Sequence, residues 1–124
     1  MRTAALLAKA VAGDASALPA HQALAMATIH GARALGMDAA IGSIEPGKLA
    51  DLTAVNLDTL NSWPLHHPLS QLVYSSHANQ VSHVWVGGRL VVQDGDLKTL
   101  DRSLLKQQSH EWQQAMSGHA GAQD

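Results

Sequence analysis

The sequence predicts an α+β chain in which helices are segregated from a small antiparallel or mixed sheet. Three observations carry that expectation. Residues from Arg2 to Leu35 are dominated by alanine and leucine and are punctuated by Gly13 and Gly36. Val81–Val86 and Arg89–Gln93 are β-branched runs joined by the pair Gly87-Gly88. A polar, leucine-bearing run after Asp101 has the spacing of a closing helix.

Arg2 to Ala12 reads as the first helix, because Ala, Leu and Lys are strong helix formers and Gly13 stands where a left-handed cap ends a helix. Its apolar stripe is Leu6, Leu7, Ala10 and Val11. Asp14-Ala15-Ser16 is turn chemistry. A second helix is expected from about Pro19 to Leu35, with proline in the opening turn, Gly36 beyond the end, and Leu24, Thr28, Ala32 and Leu35 on one face.

Glu45-Pro46-Gly47-Lys48 is a turn, since proline presets φ at the second position and glycine supplies a positive φ at the third. Leu52 to Leu57 then has the near alternation of a strand, ended by Asp58-Thr59-Leu60-Asn61-Ser62. Trp63 to Tyr74 is expected to be a proline-bounded loop leading to a short helix. Val81–Val86 and Arg89–Gln93 form a hairpin, because two-residue primed turns demand positive φ. Asp94-Gly95-Asp96 is a further turn. The last helix is expected to take Asp101 as N-cap and run to about Met116, with Leu104, Leu105, Gln108, Trp112 and Ala115 along one side and Ser117 to Asp124 frayed.

The 124 residues fit one modest domain, with no internal repeat or low-complexity stretch. A formal net charge of -2 supplies no basic field for nucleic acid or anionic membrane. With no cysteine, disulfide frameworks and thiolate zinc sites are excluded. Met1–Val11 has one arginine before a short apolar stretch, as a signal peptide does. Lys9 interrupts it, however, and nothing approaches the roughly 20 apolar residues of a membrane span. A soluble, cytoplasmic chain is expected.

The residues that tempt a chemical reading have structural readings beside it. His66 and His67 are adjacent on a proline-flanked loop, where side chains diverge, whereas a metal centre needs three or four converging ligands. His30 lies within the second helix with no Asp, Glu or second His one turn away to orient it, and His21 is expected to be exposed. Glu45, Lys48 and Asp51 put two carboxylates and an amine within seven positions. On a tight turn, Glu45 and Lys48 are expected to project into solvent while Asp51 bonds nearby backbone N–H groups. Ser70, Ser75, Ser76 and Ser82 stand near His66, His67, His77 and His83 without the Gly-x-Ser-x-Gly elbow of a nucleophile. Trp85 and Trp112 are expected in the core, packed on one another with the terminal helix over one face of the sheet.

The run Ile41-Gly42-Ser43-Ile44-Glu45-Pro46-Gly47-Lys48-Leu49-Ala50-Asp51-Leu52, preceded by Ala23 to Gly36 and followed by Val84-Trp85-Val86-Gly87-Gly88, resembles the carboxy-terminal part of metal-dependent amidohydrolases. Within that superfamily it is most similar to the deaminases of S-adenosylhomocysteine and methylthioadenosine, with chlorohydrolase-like relatives nearby. The resemblance spans about Met1 to Leu97. His30 departs from it, because the family usually has asparagine before Gly31-Ala32.

The resemblance implies a division into residues 1–40, the terminal helices of a (β/α)8 barrel; 41–100, half of the companion β-sandwich with a connecting loop at 58–80; and 101–124, a carboxy-terminal helix and tail. In such enzymes a divalent metal, zinc or iron, lowers the pKa of bound water for attack on a purine carbon with loss of ammonia. The family's ligands, a His-x-His pair, two further histidines and an aspartate, precede the matched segment. The implied site residues in this chain are therefore none, whether catalytic, cofactor-binding or metal-ligating. The chain is expected to be a fragment, Met1 an internal residue or an artificial boundary, and the partner an upstream barrel portion. Leu6, Leu24, Ile29 and Leu35 would then be left to cover missing strands, and a homo-oligomer formed through helix faces, strand addition at the open sheet edge or exchange of elements between copies is expected. A stand-alone, non-catalytic assembly or regulatory module is the alternative function. A histidine-based metal binder at His66, His67 and His77 is a third.

Overall fold

The structure, a computed structural model, describes residues 1–120. Helix α1 spans Arg2–Ala12 and ends on Gly13 at φ 62°, the left-handed cap that the sequence predicts. The α1 face turned inward is a different one from the expected stripe. Ala5 is fully buried, whereas Leu6, Leu7, Ala10 and Val11 are all exposed. Leu18, at a positive φ of 46°, leads into Pro19, which caps α2 (Ala20–Ala27).

The single helix expected from Pro19 to Leu35 is in fact two. Thr28 has φ -126° and ψ -104°, outside the helical region, and separates α2 from α3 (Ile29–Ala34). Its hydroxyl donates back to the Leu24 carbonyl at 2.8 Å, the local bond by which threonine competes with the helix ladder. The break matters for packing, because Gly42 enters beside it. A Cβ on Gly42 would lie 2.7 Å from Ala32 Cβ and 2.9 Å from Ile29 Cα.

The buried core is small and alanine-rich. Ala5, Ala20 and Ala23 surround Val73, with Leu18 and Tyr74 packed against them. Val73 sits in a wide helical turn, Gln71–Ser75, that continues α4 (Pro68–Ser70), the short helix expected at this point. Two cationic side chains tie α1 to this layer. Arg2 donates to the Ser76 carbonyl at 3.2 Å, and Lys9 Nζ donates to the Ala17 and Leu18 carbonyls while lying 5.7 Å from the Tyr74 ring centroid.

The sheet is a four-stranded antiparallel meander in chain order: β1 (Leu52–Val55), β2 (Val81–Val86), β3 (Arg89–Gln93) and β4 (Asp96–Leu97). The β2–β3 hairpin has the predicted bounds, with Gly87 at φ 55° and Gly88 at φ 79°. Strand β1 stops two residues short of the expected Leu57, where Asn56 N–H turns to the Gln80 carbonyl. Strand β4 is an addition to the expected elements. Asp94 at φ 52° and Gly95 at φ 80° make a second tight turn, which pairs Gln93 with Asp96.

Helix α5 runs Arg102–Ala120 and begins as expected, with Asp101 Oδ1 accepting from the Ser103 and Leu104 N–H groups at 2.8 and 3.2 Å. It continues past Met116 through the first residues expected to fray, and residues 121–124 lie outside the described residues. It does not cover the sheet. Every side chain from Arg102 to Ser117 is exposed, and Trp112 is 71% exposed, so the expected packing of Trp112 on Trp85 is absent. Trp85 stacks instead on His83, two residues away on the same face, with ring centroids 5.5 Å apart.

Candidate functional site

An open apolar groove of about 660 Å³ lies between the α2–α3 face and β1. Leu24, Thr28, Ala32 and Leu35, the face predicted from helical spacing, line one wall; Leu52, Thr53 and Val55 line the other, and Ile41 and Ile44 the end. The one ionisable side chain in its lining, that of Asp51, is already engaged: Oδ1 accepts from Gly87 N–H at 2.6 Å, and Gly88 N–H donates to the Ala50 carbonyl at 3.0 Å. Asp51 thus bonds backbone as expected, although the backbone is that of the hairpin turn 36 positions later. This groove has the chemistry of a packing surface. It holds no nucleophile–base pair and no converging charges.

Beside it lies the turn at Glu45–Lys48. Lys48 N–H donates to the Glu45 carbonyl at 3.2 Å, and Gly47 takes φ 90°, as the turn assignment requires. Lys48 itself overturns an expectation. Its side chain is only 12% exposed, and Nζ donates to the Asp38 carbonyl and to Ser43 Oγ, both at 2.6 Å. Ser43 in turn donates to Glu45 Oε1 at 2.5 Å, which does remain exposed, with Nζ 3.6 Å away. The Ser43 hydroxyl first, and the Lys48 charge second, hold the Glu45 carboxyl below the usual carboxylate range. This is a clamp on the loop, with each polar group committed to its neighbour. Asp14 is likewise lowered, chiefly by the Ser16 N–H and hydroxyl, both at 2.7 Å.

A second polar centre is absent from the sequence reading. Gln80 is buried, and its Nε2 lies within hydrogen-bond distance of Ser62 Oγ (2.8 Å), the Asn56 carbonyl (3.1 Å) and Thr59 Oγ1 (3.2 Å), while Oε1 accepts from His77 N–H at 2.8 Å. The one available signal is spacing: a glutamine three residues after His77 fits the reciprocal bond of a capping box. The knot fastens the loop after β1 to the start of β2. A shallow polar hollow of about 310 Å³ lies against it, lined by Asn56, Thr59, Asn61, Asn79 and Ser82 among others.

His21, His30, His66, His67 and His77 are all exposed, and His83 is half-buried against Trp85. Among the described residues, no three His, Asp or Glu side chains come together as a metal site would need. His66, His67 and His77 are therefore not gathered into one, and the residues present do not fit a divalent metal. Ser70, Ser75, Ser76 and Ser82 are not joined to any histidine by a hydrogen bond; Ser76 Oγ donates to the Gln71 carbonyl and Ser82 Oγ to that of Ala54. No helix among the described residues is long and apolar enough to cross a membrane.

With this geometry in hand, comparison with known proteins gives one consistent result. The amidohydrolase family model matches residues 1–91. The 5-methylthioadenosine/S-adenosylhomocysteine deaminase of Teredinibacter turnerae is 46% identical over 116 residues, which are 94% of this chain and 26% of that protein. The enzyme of the same name from Moorella thermoacetica is 47% identical over 81% of this chain and 23% of its own length. Among solved structures, a zinc-bound adenosine deaminase from Xanthomonas campestris superposes with a TM-score of 0.90 at 47% identity, covering 94% of this chain and 27% of that one. The zinc complex of an atrazine chlorohydrolase from Arthrobacter aurescens superposes with a TM-score of 0.70 at 26% identity, over 77% of this chain and 21% of that one. The chain spans about a quarter of the length of the relatives it matches.

Proposed function

This chain belongs to the amidohydrolase family, and from that premise we propose that it is the carboxy-terminal segment of a hydrolase that deaminates a purine nucleoside-type substrate such as methylthioadenosine or S-adenosylhomocysteine. In this reading α1 to α3, within residues 1–40, are the terminal helices of a barrel. Residues 41–100 are half of a β-sandwich, and residues 101–124 form a closing helix and its tail. The segment supports the site without supplying catalytic, cofactor-binding or metal-ligating residues. The divalent metal and the reacting groups belong to the upstream portion, which is its partner within one polypeptide, and the assembled protein is cytoplasmic and homo-oligomeric.

One observation carries the reading: identity of 46% is sustained over almost the whole chain against only a quarter of a deaminase. The groove supports it. Leu24, Leu35, Ile41, Leu52 and Leu72 face an open space with no polar machinery, and each large apolar side chain left uncovered forgoes roughly 1.5 to 3 kcal/mol of burial. The Lys48 clamp and the Gln80 knot belong to the same picture, since both hold loops rigid around a surface that needs shape rather than chemistry.

The test is a chimera in which this chain replaces the matching quarter of the Teredinibacter turnerae enzyme, assayed for ammonia release from methylthioadenosine. Turnover within about tenfold of the parent, a margin of 1.4 kcal/mol, supports the segment reading. A folded chimera with no turnover overturns the deaminase reading. The intact mass of the native protein, captured under denaturing conditions, separates the segment from the stand-alone, non-catalytic module. A mass several times 13.1 kDa accords with the segment, and a mass of 13.1 kDa with the module.

A further inference from the structure

We propose that α5 is a clasp whose apolar face docks on the upstream part of the same polypeptide, a role that rests on the segment reading above. The face is built from Leu104, Leu105, Trp112 and Met116, all exposed, while Lys106, Gln107, His110, Gln113 and Gln114 lie on the opposite side. Its attachment to the rest of the chain is at its start, where Arg102 donates to Asp96 Oδ1 at 2.7 Å and Asp101 caps the first turn. A helix with no buried side chain among those described, Arg102 to Ser117, is marginal in water, because most helical stability in proteins comes from packing an amphipathic side. Something must cover it.

The superposition says that its pose is specific. A TM-score of 0.90 over 94% of the chain leaves only a few residues unmatched, far fewer than the 19 of α5. The helix therefore takes up the same position in a crystallised adenosine deaminase of which this chain covers 27%, and a helix repeated in that position has a surface to rest on.

A second copy is the weaker occupant on area. Four side chains exposing about 100 Å² each would bury, from two copies, about 800 Å² in total, below the roughly 1,200 Å² of a stable interface. An upstream portion of the same polypeptide buries no more of this face, but it meets the face at the high effective concentration of a tethered partner, so a small contact suffices. The docking anchor is Trp112, the most exposed large apolar side chain of the helix and the type that dominates such contacts.

Hydroxyl-radical footprinting of Trp112, read by mass spectrometry on the chimera described above and on the 124-residue chain alone, tests the clasp. Mass in solution and deaminase turnover are measured on the same samples. The expected result is a Trp112 reactivity at least fivefold lower in the chimera, independent of protein concentration. Equal reactivity in both proteins overturns the clasp even if the chimera turns over substrate. Protection that appears in the 124-residue chain together with a dimer mass also overturns it, in favour of a second copy. Protection in a chimera without turnover leaves the clasp standing and overturns the deaminase reading alone.

Discussion

Replacing Gly42 with alanine isolates the closest approach in the fold. Gly42 has φ 92° and Gly47 has φ 90°, so both positions impose nearly the same backbone strain on an L-residue. That strain costs roughly 1 to 2 kcal/mol, and the offsetting gain from a stiffer unfolded chain, about 0.4 to 1 kcal/mol, is common to both. The surroundings differ. A Cβ on Gly47 meets nothing within 4 Å, whereas one on Gly42 falls 2.7 Å from Ala32 Cβ, 2.9 Å from Ile29 Cα and 3.2 Å from the Thr28 carbonyl oxygen. Two of those neighbours are backbone and cannot swing aside, so overpacking adds about 1 to 3 kcal/mol at Gly42 alone. Urea unfolding of Gly42→Ala and Gly47→Ala, followed by circular dichroism, reads the difference directly. With a slope of about 1 to 1.5 kcal/mol per molar urea, the Gly42 midpoint is expected roughly 1 to 2 M below that of Gly47. Equal midpoints would refute the close packing of Gly42 against Thr28, Ile29 and Ala32.

Three further outcomes are expected. Gln80→Leu strips a buried knot of its centre and leaves His77 N–H, Ser62 Oγ and the Asn56 carbonyl short of a partner, a loss of about 2 to 4 kcal/mol by chemical denaturation; a loss below about 0.5 kcal/mol would contradict the knot. Ser43→Ala removes the first cause of the lowered Glu45 pKa, so an NMR titration should find that carboxyl moved up toward its ordinary value. Because the folded-state pKa is the depressed one, its small stabilising contribution is present above the unfolded value and fades as pH falls through the folded one, and the variant should lose part of that acid-side dependence. Asp101→Ala uncaps a helix with no buried face, and a cost of about 1 kcal/mol should appear as a measurable drop in ellipticity at 222 nm.

What the sequence made legible was local chemistry. Gly13, Gly47 and the Gly87-Gly88 pair each take the positive φ that their turns demand, and the Asp101 cap bonds the two N–H groups a cap should. The family itself was readable from the order of Ala23 to Gly36, the Ile41 to Leu52 run and the hairpin. Long-range commitments were not legible. Thr28 sits in a run whose composition favours helix throughout, and the glycine that packs against its break comes fourteen residues later. Lys48 looks like any turn lysine until Asp38 and Ser43 close around it. Hydrophobicity singles out the α1 stripe of Leu6, Leu7, Ala10 and Val11, whereas the observed contact is set by the small Ala5, which allows close approach to Val73 and its neighbours. Trp112 stays out of the core for a related reason: the apolar face of α5 is real, but no described residue covers it.

The two borders of the sheet are unlike. Strand β4 is two residues long, both exposed, with Asp96 held by Arg102 and Lys98 following directly, so it offers almost no ladder to a newcomer. Strand β1 pairs with β2 alone and leaves its other side open beside the groove. A sheet with one receptive border and one blunted border has a fixed valence. Strand-to-strand joining through β1 consumes the receptive border of each participant, and the blunted border then terminates the assembly on both sides. Such joining closes at a pair, whereas two receptive borders would have allowed the open-ended growth from which fibres are made.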